Sequence, residues 1–294
     1  MRFSRARALG LLGAAGLVGC GSGAPSTKVG SKNFSEQLFL GELYAQVLAK
    51  RGLKIERKLS LGSTQIAMAA MQRGELDLYP EYTGTALLVV LKAPVAYDSR
   101  RVYETVKREF EQRYKIAWLE PSPFNDTQAL ASTKEIAARY GLRTLSDVSR
   151  AAPQLRLAVT AEFVSRPDGL PALQKTYGGF RFKDVRQIDI GLRYQALLDK
   201  RADVCVAFST DGEILQYGLT IFDDDKHAFP PYQVAPIVRD EALQRTPAIA
   251  EALNKLAPLL DDATIRGVNL AISGPQKREP ADVAREFIAK HGLG

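Results

Sequence analysis

Histidine and cysteine are almost missing from this chain, with two of each in 294 residues. That scarcity removes much catalytic and metal chemistry, because general bases, activated nucleophiles and metal ligands are drawn largely from those side chains. His227 and His291 have no obvious catalytic partner, and no Ser-x-x-Lys pair offers a lysine-activated serine. Nothing in the sequence points to an enzyme, a bound metal or a cofactor. Blocks of one charge are scarce as well. Asp223-Asp224-Asp225 reads as a solvated turn, and basic and acidic residues are otherwise interspersed, so no nucleic-acid footprint is marked. Long apolar runs are also lacking: the stretch Ala8 to Gly19 is too short to cross a bilayer as a stable helix.

What is present begins with that stretch. Arg2, Arg5 and Arg7 precede it, a basic-then-apolar order that predicts an export signal over residues 1–19. Its end, Leu17-Val18-Gly19-Cys20, resembles the lipobox of bacterial lipoproteins, which implies that Cys20 is lipidated and becomes the first mature residue. Residues 20–27 then form a small-residue tether. The alternative is a plain secretory signal with a chance cysteine. With Cys20 acylated, Cys205 stands alone and no intramolecular disulfide is available. Lying between Val204 and Val206, it reads as a small buried hydrophobe. Removal of residues 1–19 leaves 37 basic against 33 acidic side chains, a mild net charge of +4. The length, with 46% hydrophobic residues, suffices for two α/β lobes.

The body reads as alternating strands and helices. Lys28–Lys32 is a first strand and its exit. Leu40, Leu43, Tyr44, Val47 and Leu48 share one helix face, stopped by Gly52, and Asn33 with Glu36 has capping-box spacing. A strand over Ile55–Leu61, a helix from Gly62-Ser63-Thr64 through Met71, and a strand ending at Leu76 and Leu78 follow. Pro80 and Gly84 should then force the chain off the ladder, carrying Tyr79 to Thr85 out at a strand's carboxyl end, where ligands sit in open α/β sheets. For either tyrosine the alternative is an ordinary half-buried core ring. A short repeat supports the cleft reading. Setting Asp77 on Asp203 sets Tyr82 on Phe208, and each copy is a helix, a strand, an aromatic ring, then hydroxyl and glycine residues. Two similar lobes facing one another would produce that pattern. Lys32, at a strand-to-helix junction, suits a ligand carboxylate, the alternative being a solvated surface lysine. Phe163 to Gly169 reads as a turn in which Arg166 offers a planar fork to a carboxylate or pairs with Asp168. Pro230 to Pro236 reads as a rigid extended return to the first lobe, before three closing helices.

Four stretches together are more specific: Gly30-Ser31-Lys32-Asn33-Phe34-Ser35-Glu36-Gln37, Tyr79-Pro80-Glu81-Tyr82-Thr83-Gly84-Thr85, Ser209-Thr210-Asp211-Gly212 and Phe229-Pro230-Pro231-Tyr232. From about Lys28 to near the carboxyl terminus, the chain resembles the substrate-binding proteins of osmoprotectant ABC importers, those for glycine betaine, choline, carnitine and related quaternary amines. The resemblance implies an α/β, two-lobed periplasmic-binding-protein fold of type II, each lobe a mixed sheet flanked by helices. Residues 28–127 and 233–294 would form lobe 1 and residues 128–232 lobe 2, joined by a two-crossing hinge. It also implies an extracytoplasmic, lipid-anchored monomer that hands a small quaternary-amine ligand to ABC permease and ATPase subunits. A quaternary cation cannot donate a hydrogen bond, so ring faces are its natural partners. Carried over by motif, Tyr82, Phe208 and Tyr232 are cage positions, while Lys32, Thr85 and Arg166 match the groups that take the ligand's carboxylate. Two positions depart from the family pattern. Gln128 stands where a tyrosine follows Asn-Asp-Thr, losing a ring face, and Phe208 stands where a tyrosine precedes Ser-Thr-Asp, losing a hydroxyl. The incomplete cage leaves room for a larger betaine with a polar arm, such as carnitine or ergothioneine. A ligand sensor on the same fold is the alternative role.

Overall fold

The computed structural model describes residues 26–293; the expected export signal, Cys20 and most of the tether lie outside them. Four strands come first: β1 (Thr27–Gly30), β2 (Ile55–Lys58), β3 (Leu78–Tyr82) and β4 (Ile116–Trp118). Five more follow: β5 (Gln128–Ser132), β6 (Arg156–Val159), β7 (Asp184–Gln187), β8 (Val204–Phe208) and β9 (Thr220–Ile221). The last, β10 (Val234–Arg239), returns to the first group. They form two five-stranded mixed sheets in the orders β2-β1-β3-β10-β4 and β7-β6-β8-β5-β9. Within each, three strands pair in parallel across helical crossovers, as parallel neighbours require. Antiparallel β10 and β5 then join the remaining strand of each sheet. Separate apolar clusters pack on the two sheets. Helix Ser35–Lys50 turns Phe39, Leu40, Leu43 and Leu48 fully inward on the first. Cys205 is fully buried in the second, where burial pushes its thiol pKa up.

Pro80 does not end a strand. The expected strand up to Leu78 instead begins there, and Pro80 sits inside it directly opposite Pro236 of β10. This position tolerates proline because neither ring nitrogen faces the other strand. The Pro236 carbonyl points away to accept from Leu119 N–H at 3.0 Å, and the Pro80 carbonyl points the opposite way to accept from Gln37 Nε2 at 2.8 Å. The two prolines are therefore a non-hydrogen-bonded pair, and the ladder between β3 and β10 loses nothing. On its far side β3 pairs with β1 only through Leu78, so Pro80 is beyond the reach of that ladder too. By the same geometry the Pro230–Pro236 return becomes a ladder strand from Val234 onward.

Two local expectations are also corrected. The capping box does not form: helix Ser35–Lys50 starts after Phe34 without a side-chain cap, because the Glu36 carboxylate is drawn inward by Tyr82 Oη at 2.6 Å and Asn269 Nδ2 at 3.1 Å. The Phe163–Gly169 turn is shorter than expected, since Ala161–Ser165 is a helix capped by Thr160.

The repeat, in contrast, has a physical basis. Lys28 N–H donates to the Asp77 carboxylate at 2.8 Å while Asp77 N–H returns to the Lys28 carbonyl at 2.9 Å. Arg156 and Asp203 make the same reciprocal pair, also at 2.8 and 2.9 Å. Each aspartate thus ties the start of a central strand to its parallel neighbour, and Tyr82 and Phe208 emerge at the far ends. The two chain crossings between the sheets run side by side: Asn125 bridges Gln233, and Tyr232 N–H donates to Asn125 Oδ1 at 2.6 Å.

Candidate ligand-binding cleft

A cavity of about 720 Å³ lies where the strand ends and the crossings converge, and Lys32, Tyr82, Thr85, Gln128, Arg166, Phe208 and Tyr232 all line it. Its volume is in the usual range for small-molecule sites. Tyr82 and Phe208 close strands β3 and β8; Gln128 opens β5, directly opposite Phe208; Tyr232 lies on the returning crossing. Thr85 ends the short turn Thr83–Thr85, which runs into a π-helical turn over Ala86–Val90. Of the two tyrosines in the Glu75–Thr85 stretch only Tyr82 reaches the cavity. Tyr79 is fully buried in the core, because alternation along a strand sends residues 79 and 82 to opposite faces.

Every cation lining the cavity already has an internal partner. Lys32 is 5% exposed rather than a solvated lysine. Its ammonium meets Glu81 Oε1 at 2.8 Å and Thr64 Oγ1 at 3.3 Å, and lies 4.6 Å from the Tyr82 ring centroid. Arg166 forks onto Asp168, with Nε to Oδ1 at 2.8 Å and Nη2 to Oδ2 at 2.5 Å. Arg193 pairs with Asp211 at 2.7 Å. Asp168 is a hub, for Tyr232 Oη donates to its carboxylate and Gln128 Nε2 reaches both its carbonyl (3.1 Å) and its carboxylate (3.2 Å). Burial alone would raise the Asp168 pKa, but the hydrogen bonds from Arg166 and Tyr232 outweigh it and hold the carboxyl below the usual range.

Residues outside the expected set complete the wall. Phe34 lines the cavity, stacked on Tyr82 at 6.2 Å between centroids and 41% exposed, so an aromatic face is open to an occupant. Glu36 and Asp126 line it too, and among the described residues neither forms an ion pair. Burial raises the Glu36 pKa, with Asp211 adding to it; burial and the neighbouring Glu36 raise that of Asp126 further. Phe34 and Glu36 stand in the Gly30–Gln37 motif and Asp126 in Asn-Asp-Thr, but a linear reading does not tell which side chains of a motif point inward. Arg193 and Asn269, also on the wall, lie outside every motif and carry no sequence signal of that role.

A family model described as the substrate binding domain of an ABC-type glycine betaine transport system matches residues 25–290. A glycine-betaine-binding protein of Pseudomonas aeruginosa is 36% identical over 293 residues, covering 96% of this chain and 93% of that protein. The carnitine transport binding protein OpuCC of Listeria monocytogenes is 31% identical over 274 residues, covering 92% of this chain and 88% of its own. Among solved structures, that of a glycine betaine/carnitine/choline ABC transporter matches with a TM-score of 0.86 at 30% identity, covering 91% of this chain and 99% of the other.

Proposed function

The chain belongs to the family of substrate-binding domains of ABC-type glycine betaine transport systems, and on that premise we propose that it captures a quaternary ammonium compound in the cleft and delivers it to an ABC permease. Proteins of this family are transport substrate-binding proteins rather than enzymes, act outside the cytoplasm, and have the type II periplasmic-binding-protein fold. Among the described residues no helix is long and apolar enough to cross a membrane. A lipid on Cys20 is the anchor we propose, and replacing Cys20 with serine should release a monomeric protein from the membrane fraction.

The observation that carries the reading is the convergence of Tyr82, Phe208 and Tyr232 on one cavity from two sheets and the crossing between them. Ring faces attract a cation that cannot hydrogen-bond, by up to about 2 kcal/mol for a desolvated ring, and Phe34 adds a fourth face. Residues 28–127 and 233–294 would move as one lobe and 128–232 as the other, with the ligand bridging them. Lys32 and Arg166 retain donors beyond those given to Glu81, Thr64 and Asp168, since an ammonium has three N–H groups and a guanidinium five. Those remaining donors and the Thr85 hydroxyl would receive a ligand carboxylate. Titration calorimetry of the purified protein against glycine betaine, choline, carnitine and ergothioneine tests the proposal. Saturable binding of at least one is expected, and binding of none would overturn it.

A further inference from the structure

In the corner formed by Glu36, Asp126, Thr210 and Asn269, Glu36 already accepts from Tyr82 Oη at 2.6 Å, but Asn269 Oδ1 and the second oxygen of Asp126 have no donor among the described residues. Asn269, on helix Asp262–Ser273 and 8% exposed, gives its amide N–H₂ to Glu36 Oε2 at 3.1 Å and to the Thr210 carbonyl at 2.8 Å. Its Oδ1 is buried and has no partner. Turning the amide around would aim its oxygen at the Thr210 carbonyl 2.8 Å away, which can only accept. Beside it, Thr210 Oγ1 donates to Asp126 Oδ1 at 2.7 Å, and no other donor among the described residues reaches that carboxylate. The three cations of the wall, Lys32, Arg166 and Arg193, are engaged by Glu81, Asp168 and Asp211, so none neutralises Glu36 or Asp126.

A buried acceptor left unpaired is rare and unfavourable; this one belongs to a residue of the cavity wall, next to two carboxyl groups that have no cation partner among the described residues. Resting on the reading of the cleft as a quaternary-amine site, we propose that this corner is a second recognition point that takes an N–H or O–H donor on the ligand. The protein then selects quaternary amines that carry such a donor over those that carry none. Glycine betaine has no hydrogen-bond donor at all, whereas choline and carnitine each have a hydroxyl.

Matched ligand pairs test this on the wild-type protein by titration calorimetry: carnitine against γ-butyrobetaine, which lacks only the hydroxyl, and choline against its methyl ether, with tetramethylammonium as reference. The donor-bearing member of each pair is expected to bind about tenfold more tightly or better, as for a buried polar group left unpaired by the analogue. Asn269→Leu should shrink both ratios toward one; if that variant does not fold, the wild-type ratios decide. Equal affinities within both pairs, with quaternary amines still bound, would overturn the donor corner and leave the proposed function standing. Binding of none of the five, tetramethylammonium included, would overturn both.

Discussion

Gln128 bridges to Asp168 through its amide, at 3.1 and 3.2 Å, so the protein itself occupies the polar group that stands in place of the missing ring. Replacing it with tyrosine adds a ring face and removes that bridge. Gln128→Tyr should tighten glycine betaine binding several-fold and up to about thirtyfold, as one partly desolvated cation–π contact allows, with a modest fall in melting temperature. An unchanged glycine betaine affinity in calorimetry would mean that position 128 does not face the cation. Tyr82→Ala should weaken quaternary-amine binding about tenfold or more. Glu36 and Asp126 give a signed pH test. Burial raises both carboxyl pKa values in the folded protein, so the ligand-free fold holds protons that the unfolded chain releases near pH 4. Stability from this pair is full below that unfolded value and is lost as pH rises through the folded one. A bound cation favours the ionised carboxylates, so affinity should move the other way, rising over the same window as protons are released. Opposite slopes in ligand-free melting and in calorimetric affinity are expected. Parallel slopes would show that these carboxyls do not meet the ligand.

Among the elements, the turn after β3 has little room where it meets the returning crossing. A Cβ on Gly84 would lie 2.6 Å from the Pro231 carbonyl oxygen and 2.7 Å from the Tyr232 ring, far inside contact distance. The turn and the returning crossing are packed backbone to backbone, which is what holds Tyr232 against Asp168. Gly84→Ala should cost roughly 1–3 kcal/mol of stability, the usual range for overpacking, and weaken ligand binding by displacing Tyr232. A wild-type melting curve with wild-type affinity would mean that the crossing yields without consequence.

At the scale of the whole molecule, helix Gly212–Gln216 of the second sheet's half packs against helix Asp262–Ser273 of the first. A Cβ at Gly212 would come within 2.4 Å of the Leu270 backbone nitrogen, and Arg266 Nε reaches the Ser209 carbonyl at 2.6 Å close by. This contact joins the two halves beside the crossings, where Asn125 N–H donates to Asp262 Oδ1 at 2.9 Å and Thr127 N–H to Ser209 Oγ at 3.0 Å. Gly212→Val should hold the halves apart while leaving each core intact. Small-angle scattering is expected to give a larger radius of gyration for the variant and no compaction with ligand, whereas the wild type compacts on saturation if binding energy favours the closed form. Equal radii would argue that closure does not pass through this helix pair.

Periodicity and turn residues determined the two α/β halves. The helix and strand patterns depend on local spacing that a linear reading captures, and the Asp77/Asp203 alignment reflects a reciprocal bond made within neighbouring strands. The seven proposed site residues, read from motifs, all line one cavity. Tertiary structure alone decided the rest. Pro80 and Pro236 are strand residues only because each lies opposite the other with both nitrogens facing away, a pairing of positions distant in the chain. Helix-start spacing could not show that Glu36 would leave its cap for Tyr82 and Asn269. Nor could it show that Lys32 and Arg193 would each meet a carboxylate while, among the described residues, Glu36 and Asp126 met no cation. Charge pairing in a cleft is set by which side chains the fold brings within a few ångströms, and sequence order carries little of that distance information.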